Sequence, residues 1–216
     1  DAFAAAWHLK ETGFNPKVFV AGKLRDIGGD ALEFVKRAKK SKVEITEMPL
    51  GSDWADFPKK TWIHNGIVID GLLGTGAKGP ARGPLAEAIR TINRLSKDNY
   101  VLAIDVPSGL NADTGEEQGE AVRADVTITM GLPKCGLVQP SAVEFVGNIL
   151  VADIGLPEEF IRGIKSNVEL ITVDDLAGLF RRRNRNSHKG AYGHVLVIGG
   201  APGFAGAPAM AAGAAL

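Results

Sequence analysis

Ile67-Val68-Ile69-Asp70-Gly71-Leu72-Leu73-Gly74-Thr75-Gly76 is an apolar run that stops near an aspartate and passes into a glycine-rich turn. Leu102-Ala103-Ile104-Asp105-Val106-Pro107-Ser108-Gly109 repeats the pattern with proline and serine in its turn. Near-continuous apolar runs of this kind predict strands buried on both faces, as in a parallel sheet covered by helices. In such a sheet the ligand crevice lies outside the carboxyl ends of the strands. Two aspartates at two such ends, each beside a loop of free backbone amides, mark a candidate site.

Working outward, helices and strands alternate. Asp1 to Glu11 reads as helix, Val18 to Ala21 as strand, about Asp30 to Lys40 as helix and Val43 to Met48 as strand. Ile67 to Leu73 is the next strand, and Pro84 to Leu95 suits a helix with proline in its first turn. Tyr100 to Ile104, Asp125 to Met130 and Asn148 to Asp153 follow as strands. This order implies right-handed βαβ crossovers and an α/β, three-layer Rossmann-like domain with a mostly parallel sheet over residues 1–160. Residues 161–190 read as a linker, with a short helix over Val173 to Phe180 and a basic run, Arg181-Arg182-Arg183-Asn184-Arg185. A fresh strand, Val195 to Ile198, and an alanine-rich helix then open a second domain over 191–216. With a helix already under way at Asp1 and another at Leu216, the chain reads as a fragment of a longer polypeptide.

Composition narrows the class. The 216 residues are 45% hydrophobic and include 27 glycines, which suits an α/β protein with many tight turns. Twenty-five basic residues balance 25 acidic ones, so no global field points to nucleic acid or a membrane surface. No apolar run reaches the roughly 18 residues of a membrane span. The single cysteine, Cys135, excludes an internal disulfide, fits a reducing, cytoplasmic setting and reads as a small hydrophobe.

The candidate chemistry gathers at the strand ends. Gly74-Thr75-Gly76-Ala77-Lys78-Gly79 matches G-x-G-x-x-G, but Pro80, Gly83 and Pro84 delay the helix that a dinucleotide fingerprint needs at once. A phosphate loop fails too, because Ala77 stands where lysine is required. What remains is a turn whose amides can meet an anionic or polar ligand. Asp70, Asp105 and the Ser108 hydroxyl, with turn carbonyls, make an all-oxygen donor set suited to a hard cation. Lys134, just past the strand ending at Met130, is a candidate acid, base or charge partner.

Four ordered motifs, Val68 to Gly79, Ala103 to Leu110, Thr127 to Leu137 and Gly147 to Pro157, resemble the NAD(P)H-hydrate epimerase family, the YjeF N-terminal domain. His188-Lys189-Gly190, Tyr192 to Gly200 and Gly203 to Ala207 resemble the opening of an ADP- or ATP-dependent NAD(P)H-hydrate dehydratase, a ribokinase-like fold. The tandem is similar to bifunctional nicotinamide nucleotide repair enzymes. The resemblance implies interconversion of the R and S epimers of hydrated NADH or NADPH, followed by dehydration of the S form at the expense of ADP or ATP. It implies potassium held by Asp70 and Ser108. Substrate would bind along Gly74, Thr75, Gly76, Ala77, Lys78, Gly79 and Pro80, at Asp105 and at Asp1, which matches the end of the family's Asn-Asn-Gly-Gly-Asp loop. Ala207 would be a substrate-binding residue of the second domain, Asp105 and Lys134 would handle protons, and the assembly would be a homodimer. Three departures stand out: the Asn-Asn-Gly-Gly stretch expected before Asp1, with a potassium ligand and the sheet's first strand, is not in the sequence; Ala2 occupies a position where the family often has glycine; and the dehydratase's later nucleotide loop would lie beyond Leu216.

Two other readings compete. A true Rossmann oxidoreductase predicts tight binding of intact NADH and hydride exchange, against which the delayed helix speaks. A non-catalytic interaction module on the epimerase fold predicts a protein partner and no turnover, against which the retention of Asp70, Asp105, Ser108 and Lys134 speaks.

Overall fold

The computed structural model describes residues 1–49, 54, 65–164, 168–178 and 184–215. The chain divides into two compact units, Asp1–Lys165 and Ser166–Leu216. In the first unit the order is α1 (Ala2–Glu11), β1 (Lys17–Val20), α2 (Gly29–Lys40), β2 (Glu44–Glu47), β3 (Ile67–Asp70), α3 (Pro84–Leu95), β4 (Tyr100–Ile104), β5 (Val126–Met130), α4 (Val143–Val146), β6 (Asn148–Ala152) and α5 (Glu158–Gly163). Every named strand pairing is parallel.

The described strands form two sheets, β1-β2 and β3-β4-β5-β6, where the sequence suggested one. Among the described residues no strand pairs with the outer edge of β3, and other elements connect the two halves of the unit. Helix α1 is one of these: an added Cβ on Gly71, just past β3, would come 2.7 Å from the Ala2 Cβ.

Strands β3 and β4 are short because the backbone turns as soon as the aspartate is reached. Strand β3 ends at Asp70, not at Leu73, since Asp70 caps the turn that follows by accepting from the Leu72 amide at 3.2 Å. Strand β4 stops before Asp105, a non-glycine residue with a left-handed φ of 68°. Aspartate tolerates that region better than most side chains, but the position still costs conformational energy and needs its surroundings to hold it.

Helix α3 lies against the sheet through an apolar face. Gly83 and Pro84 set its start, and Ile89 and Ile92 pack with Val101, Ala103, Val122 and Ala124. A second cluster, including Val106, Leu110, Leu137, Phe145 and Val146, sits under the loops that follow β4 and β5. A third joins Ala6 of α1 to Ala38 of α2 and Val43. At roughly 25 cal/mol per Å2 of apolar surface removed from water, these clusters fix the strand ends relative to one another.

The second unit contains α6 (Val173–Ala177) and α7 (Gly206–Ala214). Helix α6 begins with a capping box between Thr172 and Asp175 and gives way at Gly178, short of the expected end at Phe180; Leu179 and Phe180 fall outside the described residues. The strand expected over Val195 to Ile198 is not formed. Its residues pair with no strand, and Val195, Leu196 and Ile198 are largely exposed. An apolar run becomes a strand only when a neighbour takes its backbone hydrogen bonds, and the described residues of this unit offer none. Arg181, Arg182 and Arg183 of the basic run lie outside the described residues, while Arg185 sits in an exposed turn.

Candidate functional site

The parallel sheet brings the carboxyl ends of β3, β4 and β5 side by side. There a crevice of about 320 Å3 is lined by Asp1, the run Gly71 to Gly76, Ile104 and Asp105. Of the loop expected to bind substrate, Gly74, Thr75 and Gly76 face this crevice. Ala77, Lys78, Gly79 and Pro80 continue away from it, and Pro80 abuts Gly119. Ala207 lies exposed near the start of α7 in the second unit.

The two aspartates have different surroundings. Asp70 is fully buried. Its Oδ1 accepts from the Ser108 hydroxyl at 2.6 Å and its Oδ2 from the Ser108 amide at 2.8 Å. The Ser108 Oγ in turn accepts from the Leu73 amide at 2.9 Å and lies 3.3 Å from the Leu73 carbonyl oxygen. Asp70 and Ser108 thus tie the loop after β3 to the loop after β4. Burial pushes the Asp70 carboxyl above its ordinary value, and the hydrogen bonds from the Ser108 side chain and from the Ser108 and Leu72 amides only partly oppose it.

Asp105 lies 18% exposed and forms an ion pair with Lys134, itself 23% exposed. Three donors converge on one carboxylate oxygen. Oδ1 receives the Lys134 ammonium, the Met130 amide at 3.1 Å and the Thr129 hydroxyl at 3.2 Å. Oδ2 has no protein donor among the described residues. Burial pushes this carboxyl up, but the hydrogen bond from Lys134, the Met130 amide, the ammonium charge and the Thr129 hydroxyl together hold it below the usual carboxylate value.

Lys134 spends all three of its N–H donors inside this cluster, on Asp105 Oδ1, on Thr129 Oγ1 at 3.0 Å and on the Met130 carbonyl at 3.0 Å. It sits behind the carboxylate and does not line the crevice. Its loop is seated by backbone contact. The Gly136 amide donates to the Ala112 carbonyl at 2.7 Å, and a Cβ on Gly136 would fall 2.4 Å from the Asn111 carbonyl oxygen. Cys135 between them is exposed, not packed as a small hydrophobe.

Two participants escaped the sequence reading. Thr129, fully buried, has a visible trace as a hydroxyl in the apolar strand Val126-Thr127-Ile128-Thr129-Met130, five residues before a lysine. The Leu73 carbonyl leaves no trace, because every residue has one. Among the described residues no group of three or more His, Cys, Asp or Glu gathers as a metal set. The Asp70–Ser108–Leu73 oxygens are another kind of set. A buried carboxylate with no cationic partner among the described residues, one hydroxyl and one carbonyl together fit a large hard cation by donor chemistry. No helix among the described residues is long and apolar enough to cross a membrane.

Residues 1–136 match the family described as YjeF-related protein N-terminus. The bifunctional NAD(P)H-hydrate repair enzyme Nnr of Coxiella burnetii is 38% identical over 215 residues, covering 100% of this chain and 42% of that protein. The protein of the same name from Moorella thermoacetica is 37% identical, covering 100% of this chain and 40% of its own length. The Leishmania braziliensis bifunctional NAD(P)H-hydrate repair enzyme is 44% identical over 154 residues, 69% of this chain and 27% of that one. The chain thus spans about two fifths of the first two relatives. The crystal structure of the yeast protein ynu0, YNL200c, shares the fold, with a TM-score of 0.57 and 21% identity over 80% of this chain and 69% of that one. With the strand-end crevice falling inside the matched residues, the chain belongs to the YjeF-related protein N-terminus family.

Proposed function

We propose that the first unit interconverts the R and S epimers of hydrated NADH or NADPH, with Asp105 as the group that handles the proton. The observation that carries this is the asymmetry of the Asp105 carboxylate. Its Oδ1 is saturated by three donors, its Oδ2 has none among the described residues, and the residue lines the crevice. A carboxylate held ionised with one free oxygen is a base.

The substrate carbon is a carbinolamine, C6 bearing both a hydroxyl and the ring nitrogen N1. Asp105 Oδ2 takes the hydroxyl proton, the C6–O bond becomes a carbonyl, and the N1–C6 pair moves onto N1. There, conjugation through C2=C3 to the carboxamide spreads the charge. Rotation of the freed aldehyde and re-attack by N1 on the other face restore the ring, and the proton returns to oxygen. No atom or electron is gained or lost. The alternative, departure of hydroxide from C6, needs an acid; the ionised Asp105 carboxylate supplies none, and the Lys134 ammonium, its three donors spent on Asp105, Thr129 and Met130, does not line the crevice.

The amides of Gly74, Thr75 and Gly76 would meet the polar and anionic parts of the nucleotide, with Asp1 on the same crevice and Ala77, Lys78, Gly79 and Pro80 extending the loop. Asp70, Ser108 and the Leu73 carbonyl would hold a potassium ion, which would supply a fixed positive charge beneath the loops. The bifunctional names of the relatives support reading residues 161–190 as a linker. Residues 191–216, with Ala207, would begin a dehydratase that uses ADP or ATP. Assembly as a homodimer in the cytoplasm completes the reading.

The test is chromatographic. Purified R-NADH-hydrate is incubated with the full-length protein at several potassium concentrations, and the S epimer is followed. Acceleration well above the spontaneous rate, rising with potassium, is expected. A rate equal to the spontaneous one at every concentration overturns the reading.

A further inference from the structure

Thr129 lies within the Thr127 to Leu137 motif but received no role from it. It is fully buried near the end of β5, and its hydroxyl stands between the two charged groups of the site. The Lys134 ammonium donates to Thr129 Oγ1 at 3.0 Å, and the hydroxyl donates onward to Asp105 Oδ1 at 3.2 Å. A hydroxyl has one proton to give. With an ammonium on one side and a carboxylate on the other, its direction is fixed: it accepts from the lysine and gives to the aspartate.

We propose that Thr129 is a positioning residue for the epimerisation, which with Lys134 locks Asp105 so that Oδ2 alone serves the substrate. The inference rests on the epimerase reading and goes beyond it by naming what holds the carboxylate. Asp105 needs such a lock. Its backbone sits in the left-handed region at the end of β4, and its side chain is held through Oδ1 alone among the described residues. Without the Thr129 donor the carboxylate keeps the Met130 amide, fixed in β5, and the Lys134 ammonium at the end of its long side chain. The ammonium, one acceptor short, would then compete for Oδ2, the oxygen that must stay available. Lys134 therefore acts through the aspartate, as a second positioning residue.

Thr129→Val and Thr129→Ser in the full-length protein test this. Valine fills the same volume on a strand and removes only the hydroxyl; serine keeps the hydroxyl. The valine variant is expected to lose about tenfold in kcat with KM within about twofold of the parent, and the serine variant to recover the rate. A readout independent of turnover accompanies it. The Asp105 carboxyl carbon, followed by 13C NMR, is expected to titrate at higher pH in Thr129→Val than in the parent, because a donor to the ionised form is gone. Lys134 is the charged group bonded to Asp105, and Asp1 lines the same crevice, so both stay unchanged in the comparison. Parental kcat in Thr129→Val, or an unshifted Asp105 titration, overturns the inference even if the epimerase reading stands. A shifted titration in a parent with no epimerase activity keeps the lock and rejects the reaction.

Discussion

Asp70 and Asp105 close two neighbouring strands with the same grammar, yet the fold puts them to opposite uses. Asp70 is sealed, its oxygens taken by Ser108 and the Leu72 amide, with its carboxyl pushed above the ordinary value by burial. Asp105 is partly open, paired with Lys134, held below the ordinary value and left with one free oxygen. A strand-end aspartate acquires its role from what faces it across the sheet. The partner of Asp70 is a hydroxyl and an amide, which clamp the loop after β3 to the loop after β4. The partner of Asp105 is an ammonium, which favours the charged carboxylate.

The largest expected effect separates the two at once. Asp105→Asn keeps the shape and removes the base, so epimer interconversion should fall by about a thousandfold while far-UV circular dichroism stays that of the parent. Retained turnover would mean that the free oxygen is not the proton acceptor. Next comes Asp70→Ala, which leaves the Leu72 amide and the Ser108 amide and hydroxyl without their acceptor inside the protein. Its cost should appear in urea unfolding as roughly 3 kcal/mol of lost stability. An unchanged unfolding curve would show that the clamp between the two loops is idle.

The smallest effect is a pair of opposite pH slopes. Asp105, with its folded value depressed, contributes stability that is present above the unfolded value of about 3.9 and lost as pH falls through the folded one. Asp70, with its folded value raised, does the reverse in the absence of bound cation. It costs stability as pH climbs from about 3.9 to its raised folded value. Urea unfolding across acid pH should therefore show Asp70→Asn gaining on the parent as pH rises through that window. The parent should lose its advantage over Asp105→Asn as pH falls below it. Slopes of the same sign would break the contrast.

Much of this was legible in the sequence because the physics involved is local. Strand β4 and helix α3 run over the residues that the apolar pattern and the Gly83-Pro84 start marked. The carboxyl-end placement of both aspartates followed from strand type alone. What stayed hidden depends on chain segments far apart in sequence. Nothing near Asp105 announces Thr129, 24 residues on, and no sequence pattern marks a carbonyl such as that of Leu73. The Val195 to Ile198 run looked like a strand for the same reason β4 did, but a strand also needs a neighbour, and periodicity carries no information about neighbours.

The central claim, that Asp105 acts as a base so that the ring opens at N1–C6, can be read from one isotope. The full-length protein would convert R-NADH-hydrate to the S epimer in water enriched in 18O, with mass spectrometry of the early product. Ring opening keeps the original oxygen on C6, so the first-formed S epimer should carry 16O. If instead each epimerisation event brings in one 18O, hydroxide leaves and water returns, the site must supply an acid, and the role assigned to the Asp105 carboxylate is wrong.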